Sequence, residues 1–214
     1  MNFKSNLKEL LVFELYSLIG RNLFRTKPIL FKEQNYLNLG CGNNLIDGFI
    51  NADFFYKTWK KTNLKKQWML DLRYSLICDD ETFDGIYSEH TLEHLTYETA
   101  DSLLKELYRT LKKDKIIRIT VPDCDKYVKY YIGDYKNVNS RFNKTFESKC
   151  QAMNHLTQNS GHLSIWCFEE IKGALEKAGF VDVKEMNFAE SQDLNLTNDI
   201  EDRKWETVYV EAKK

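Results

Sequence analysis

Short apolar runs recur along most of this chain, and each one stops near a glycine, a carboxylate or a polar turn residue. Five of them fall at residues 36–39, 48–52, 68–70, 85–87 and 116–121, with the length and composition of strands. Between the fourth and fifth runs, Leu103, Leu104, Leu107, Tyr108 and Leu111 recur at helical spacing. Thr96 is placed to cap that helix, and Lys112 with Lys113 suits its negative carboxyl end. A second helical stripe, Phe168, Ile171, Leu175 and Ala178, stops at Gly179, and strand-like runs follow at 180–186 and 207–212. Parallel strands cannot be joined by a tight hairpin and need a crossover segment. The alternation therefore predicts an α/β fold with a doubly wound, mostly parallel seven-stranded sheet. In such sheets ligands lie beyond the carboxyl ends of the strands. The candidate functional residues are those that close the runs: 40–44, Asp53, Asp71, 88–94, Pro122 and Asp123.

With 214 residues and 43% hydrophobic content the chain suits one full-sized core. That domain is expected over residues 31–214, preceded by a helical extension over 1–30. In the extension, Leu7, Leu10, Leu11, Leu15, Leu18, Ile19 and Leu23 form a stripe running to about Arg25, with Lys4, Lys8 and Arg21 among the polar positions. Such a basic amphipathic helix suits packing against the sheet or a partner, and, as a second reading, peripheral contact with an anionic membrane surface. A formal net charge of -1 gives no overall field toward nucleic acid, so no nucleic-acid partner is expected. The five cysteines are widely spaced with no CxxC pair, so neither a disulfide framework nor a metal site is expected. No apolar run reaches membrane-spanning length and no secretory leader pattern is present, which sets a cytoplasmic expectation.

Gly40 and Gly42 let the backbone turn sharply and come close to a bound molecule. Asp53, closing the next run, is an acceptor-only group suited to the vicinal hydroxyls of a ribose, and Asp71 could accept from an adenine amino group. Turn or cap roles are the plainer readings of both acids. A nicotinamide dinucleotide site shares these features, but its G-x-G-x-x-G fingerprint meets Leu45 at the third glycine, and its ribose-binding acid is expected roughly 20 residues onward. A ribose-bearing ligand without phosphates would not need that glycine.

The ordered set LNLGCG, INADF, MLDL, DGIYSEHTLEHL and LYRTLKKDKIIRITVPD resembles the class I S-adenosylmethionine-dependent methyltransferases. The later GHLSIWCFEEIKGALEKAGF and VYVEAKK resemble a branch of small methyltransferases associated with polysaccharide and surface-glycan pathways. The resemblance runs from Tyr36 to the carboxyl terminus. It implies that Gly40, Cys41 and Gly42 line the methionine part of S-adenosylmethionine, that Asp53 holds the ribose, and that Asp71 with Leu72 meets the adenine. Ser88 to His90 would close the pocket. The chain differs from the family at Asn38, where many relatives have an acid, near Asn44, where a third glycine is absent, and at Lys113, Asp114 and Lys115, which replace a proline-glycine-glycine turn. The stretch between Gly42 and Gly48 also leaves little room for a first crossover helix, so the amino-terminal helix is a candidate to complete the site.

A hydroxyl acceptor needs a base as well as alignment. The order of candidates is His162, His94 and then Asp123, with His155 a weaker one and Glu93 read as a cap or orienting group. A structural role at the start of the following helix is the plainer reading of His94. Residues 125–160, with Tyr127, Tyr130, Tyr131, Tyr135 and Phe142, are the expected acceptor-site or lid segment: aromatics there suit sugar stacking or an ordinary helix covering the core. The expected function is methyl transfer to a glycan or other small hydroxylated acceptor. The alternatives are a non-catalytic module of the same fold and an NAD-dependent oxidoreductase.

Overall fold

The structure is a computed structural model that describes residues 3–24, 27–54 and 67–214. Seven strands form one sheet: β1 Tyr36–Leu39, β2 Phe49–Asp53, β3 Gln67–Met69, β4 Gly85–Glu89, β5 Ile116–Pro122, β6 Val181–Met186 and β7 Thr207–Lys213. Their order is β3-β2-β1-β4-β5-β7-β6. Strands β1 to β5 pair in parallel, while β7 runs antiparallel to β5 and to β6. The sequence runs differ from these strands by a residue or two at their ends. Strand β1 pairs with both β2 and β4, so the chain reverses its direction of progress across the sheet there. A crevice opens at that switch point.

Alternation along the strands gives the sheet two unlike faces. Leu37, Leu39, Ile50, Ile86, Ile117, Ile119, Val121, Val208 and Val210 form one face with the buried stripes of α2 (Tyr97–Thr110) and α6 (Phe168–Ala178). The Thr96 hydroxyl accepts from the Thr99 N–H, and Gly179 closes α6 at φ +110°. The other face carries Tyr36, Phe49, Tyr87 and Ile116, packed on Leu196. Among these rings lies Arg118, fully buried, with its guanidinium on Asp199 at 2.6 Å and Glu211 at 3.0 Å. It also donates to the carbonyls of Asn187 and Glu190. The β6–β7 connection, residues 187–206, is thus tied under the sheet, and it is far longer than the two to five residues of an ordinary hairpin loop.

That cover matters because the first crossover has no helix: residues 40–48 join β1 to β2 through turns alone. Two buried asparagines hold this loop. Asn38 donates to the Asn44 carbonyl and to Asn51 Oδ1, each at 2.8 Å, and Asn51 in turn donates to the Ile46 carbonyl and accepts from the Ile46 N–H. An amide at position 38 can donate to both partners, which a carboxylate cannot.

Helix α1, Phe3–Ile19, continues as a π turn, Gly20–Phe24, and docks beside the end of β3. Ser17 donates to Asp71 at 2.5 Å, and Arg73 bridges Asp71 and Glu14. The predicted terminus at Arg25 and the side chains of Lys4, Leu7, Lys8, Leu10 and Leu23 lie outside the described residues. Leu11, Leu15 and Leu18 are exposed. No helix among the described residues is long and apolar enough to cross a membrane. Beyond β5, helices α3 (Cys124–Ile132), α4 (Arg141–Thr145) and α5 (Lys149–Gln158) enclose a small core of their own with Trp205. Tyr127, Tyr130 and Phe142 belong to that core and offer no face for sugar stacking, whereas Tyr131 and Tyr135 are exposed.

Candidate active site

A cavity of about 700 Å³ opens at the switch point. The loop after β1 supplies one wall, with Gly40, Cys41 and Gly42, and the end of β2 supplies Asp53. Gly40 stands at φ +66°, and a Cβ there would lie 2.1 Å from the Thr91 hydroxyl oxygen. Gly42, at φ +50°, would place a Cβ in open space within the cavity. The two glycines therefore do different work: the first admits Thr91, and the second leaves room for a ligand. Asp53 Oδ2 accepts the Gly42 N–H at 2.7 Å, which aims the carboxylate along the wall with lone pairs to spare. Burial, with Asp53 next, pushes the Cys41 thiol up to about 12, so it stays protonated at neutral pH.

The end of β4 forms the opposite wall. His90 adopts φ +47°, its N–H donates to the Thr120 carbonyl, and its Nε2 lies 2.8 Å from the Thr207 hydroxyl. This fixed, left-handed turn directs the chain into a 3-10 turn, Leu92–His94. Burial holds the His90 imidazole well below its ordinary value and so keeps it neutral. Glu89 accepts from the Ile200 N–H at 3.0 Å. Ile200 and Arg203, from the β6–β7 connection, close the cavity.

Three of the sequence candidates lie elsewhere. Ser88 is buried and faces neither cavity described here. Asp71 is outside the large cavity: burial opposes its charge, but hydrogen bonds from Arg73 and Ser17 outweigh that and hold its carboxyl below the usual range. Its neighbour Leu72 does line the cavity. Asp123 caps α3, accepting the Asp125 N–H at 3.0 Å, and lines neither cavity.

A second cavity, of about 190 Å³, adjoins the first through a shared wall of His90, His94 and Arg203. It gathers all four histidines of the chain, the other two being His155 and His162. The His94 and His162 rings meet edge to face at 5.0 Å. His162 Nδ1 lies 2.7 Å from the Leu156 carbonyl, which can only accept, so Nδ1 carries a proton and donates it there. Burial and then the neighbouring His162 lower the affinity of His94 for its proton.

Leu95, Ile200 and Arg203 are cavity residues that sequence reasoning missed, whereas Thr91 falls within the candidate range 88–94. Leu95 directly follows that stretch, singled out for its histidines. Ile200 and Arg203 lie in a polar stretch whose only signal is the length of the connection that carries it.

Comparison with known proteins agrees with this architecture. Residues 37–119 match the Methyltransferase domain family. No curated protein matches the chain. Among solved structures, an S-adenosylmethionine-dependent methyltransferase from Archaeoglobus fulgidus is similar at TM-score 0.54 and 20% identity, with all of both chains covered. One from Thermotoga maritima is similar at TM-score 0.56 and 15% identity, covering 99% of this chain and 95% of its own. A methyltransferase from Haloferax volcanii, solved with the Trm112 activator, is similar at TM-score 0.52 and 12% identity, covering 94% and 96%. The chain has the Rossmann-like fold of S-adenosylmethionine-dependent methyltransferases.

Proposed function

We propose that this protein is an S-adenosylmethionine-dependent methyltransferase acting on a small hydroxylated acceptor, with a sugar as the best-suited class. The observation that carries the reading is the shared wall of His90, His94 and Arg203, which joins a cofactor-sized cavity to a smaller polar one.

The residues of the larger cavity suit this cofactor. Asp53 offers lone pairs to vicinal ribose hydroxyls, Gly42 leaves the wall open, and Leu72 supplies an apolar surface for the base. Arg203 brings a guanidinium to the cavity for the carboxylate of the methionine part. A dinucleotide is a poorer match, because its pyrophosphate needs the amino terminus of a helix after the glycines and residues 40–48 contain none. S-adenosylmethionine, when bound, supplies a methyl group on a positively charged sulfur that is already activated toward attack.

The chain then has to present an acceptor oxygen and take up its proton. The smaller cavity holds about as much as six waters and is lined almost entirely by hydrogen-bonding groups, including Glu93, His155, Asn159 and Glu206. Such a lining fits a polyhydroxylated ring and leaves an apolar one with unsatisfied neighbours. His94, lining both cavities, is the group placed to receive the proton, with His162 packed against its ring. Because its affinity for a proton is lowered, His94 is free to act at neutral pH.

The reading is tested by incubating the protein with methyl-labelled S-adenosylmethionine and a panel of sugars and other hydroxylated compounds. Label is expected in an acceptor, with a rate that rises with pH to a plateau through a midpoint below the ordinary 6.5 of histidine. His94→Ala is expected to lower turnover by about a hundredfold or more while leaving cofactor affinity within about twofold. Undiminished turnover in that variant would remove His94 from the chemistry.

A further inference from the structure

The smaller cavity holds a group whose arrangement goes beyond acid–base work. Glu93 is 2% exposed, and neither of its carboxylate oxygens has a hydrogen-bond donor among the described residues. A buried carboxylate without donors is costly, and natural proteins seldom leave one unless something else satisfies it. Glu93 lines the smaller cavity, and so do His94 and His162. One ligand atom from each of the three lies within 4.8 Å of the others.

We infer that Glu93, His94 and His162 bind one divalent transition cation of the zinc class, with a coordination position left open toward the cavity. The donor set of two imidazoles and one carboxylate is the kind that holds such an ion while leaving a site for a further oxygen. The His162 ring is already oriented from behind. His162 donates its Nδ1–H to the Leu156 carbonyl, the support that metal-ligating histidines ordinarily have, and the His94 ring packs edge to face on it. Glu93 is anchored on both sides of its own backbone carbonyl by the Leu163 and Ser164 N–H groups. Burial pushes the Glu93 carboxyl up to about 8, and binding of the ion would displace its proton to solvent.

The gap between His94 Nε2 and Glu93 Oε1 is 3.9 Å, against about 3.3 Å between ligand atoms of a tetrahedral zinc site with bonds near 2.0 Å. His94, 37% exposed, is the member of the triad with the most room to adjust its ring. Around the triad stand His90, whose Nδ1 is 3.5 Å from Glu93 Oε1, and Arg203, Glu206 and His155 on the cavity wall. The inference departs from the expectation set by cysteine spacing, because no cysteine takes part. The ion would occupy the one imidazole lone pair that proton uptake by His94 requires, so ligand and base are alternative states of that side chain; the test reads metal alone and is decided separately from methyl transfer.

The full-length chain, freed of metal by a chelator and exchanged into chelator-free buffer, is titrated with Zn²⁺ and with Co²⁺. One equivalent of each is expected per chain, the Co²⁺ form showing visible d–d bands without a thiolate charge-transfer band. Glu93→Gln and His162→Ala are each expected to weaken Co²⁺ binding by at least about a hundredfold, while His155→Ala leaves it within about threefold. Circular dichroism verifies that the variants are folded. For a variant that does not fold, the unaltered chain loaded with Cu²⁺ is read by electron paramagnetic resonance, where hyperfine coupling to two imidazole nitrogens is expected. Substoichiometric uptake by the unaltered chain, a cysteine charge-transfer band, uptake that survives both substitutions, or a Cu²⁺ spectrum without nitrogen coupling would each overturn the inference.

Discussion

Gly40 and Gly42 show how far two identical residues in one loop can differ in what they permit. At Gly40 a Cβ would strike the buried Thr91 side chain, whereas at Gly42 it would meet only the cavity. Gly40→Ala is therefore expected to destabilise the protein by at least about 2 kcal/mol, from overpacking and a left-handed backbone together. Gly42→Ala is expected to cost about 1 kcal/mol of stability and to weaken S-adenosylmethionine binding by intruding on its space. Urea unfolding and calorimetry of the two variants separate these outcomes, and equal stability losses would show that the loop is not built this way. Both glycines stand out in the sequence, yet the difference between them depends on Thr91, fifty-one residues away, so no local pattern reveals it. The same holds at Asp71, whose carboxylate looks free for adenine in the sequence but is claimed by Arg73 and by Ser17 of α1.

At the level of elements, the β6–β7 connection does the covering that the first crossover, lacking a helix, leaves undone. Arg118 is its anchor, paired with Asp199 and Glu211 where none of the three side chains is exposed. Removing one partner of a buried ion pair leaves the others uncompensated, so Arg118→Ala is expected to cost about 3 to 5 kcal/mol. Since Ile200 and Arg203 ride on the same connection, a folded Arg118→Lys variant is expected to bind S-adenosylmethionine more weakly, with thermal unfolding and calorimetry as the measurements. Unchanged affinity in that variant would mean the connection holds its place without the bidentate guanidinium. The strands, the Thr96 cap and the Gly179 stop are legible in the chain because each rests on nearest neighbours and a fixed period. The connection is not, because the charges that hold it, Arg118 on β5, Asp199 on the connection itself and Glu211 on β7, read in the sequence as ordinary surface charge. The aromatic segment after β5 misleads in the opposite sense: Tyr127 and Phe142 suit sugar stacking by composition but are buried on Trp205.

Across the whole molecule, parallel strands that meet at β1 and β4 create the crevice, and segments far apart in sequence furnish it. The glycine loop, the turn after β4, His155 of α5 with His162 beyond it, and the β6–β7 connection converge on two joined cavities. Asp53 is the group on which the account of the larger cavity turns, since its carboxylate both fixes the glycine loop and faces the space assigned to the ribose. Isothermal titration of the unaltered protein and of Asp53→Ala with S-adenosylmethionine tests this most directly. Saturable one-to-one binding is expected, weakened in the variant by about 10- to 150-fold, as befits one charge-assisted hydrogen-bonding partner worth about 1.5 to 3 kcal/mol. No heat with the unaltered protein, or equal affinity in the variant, would contradict it.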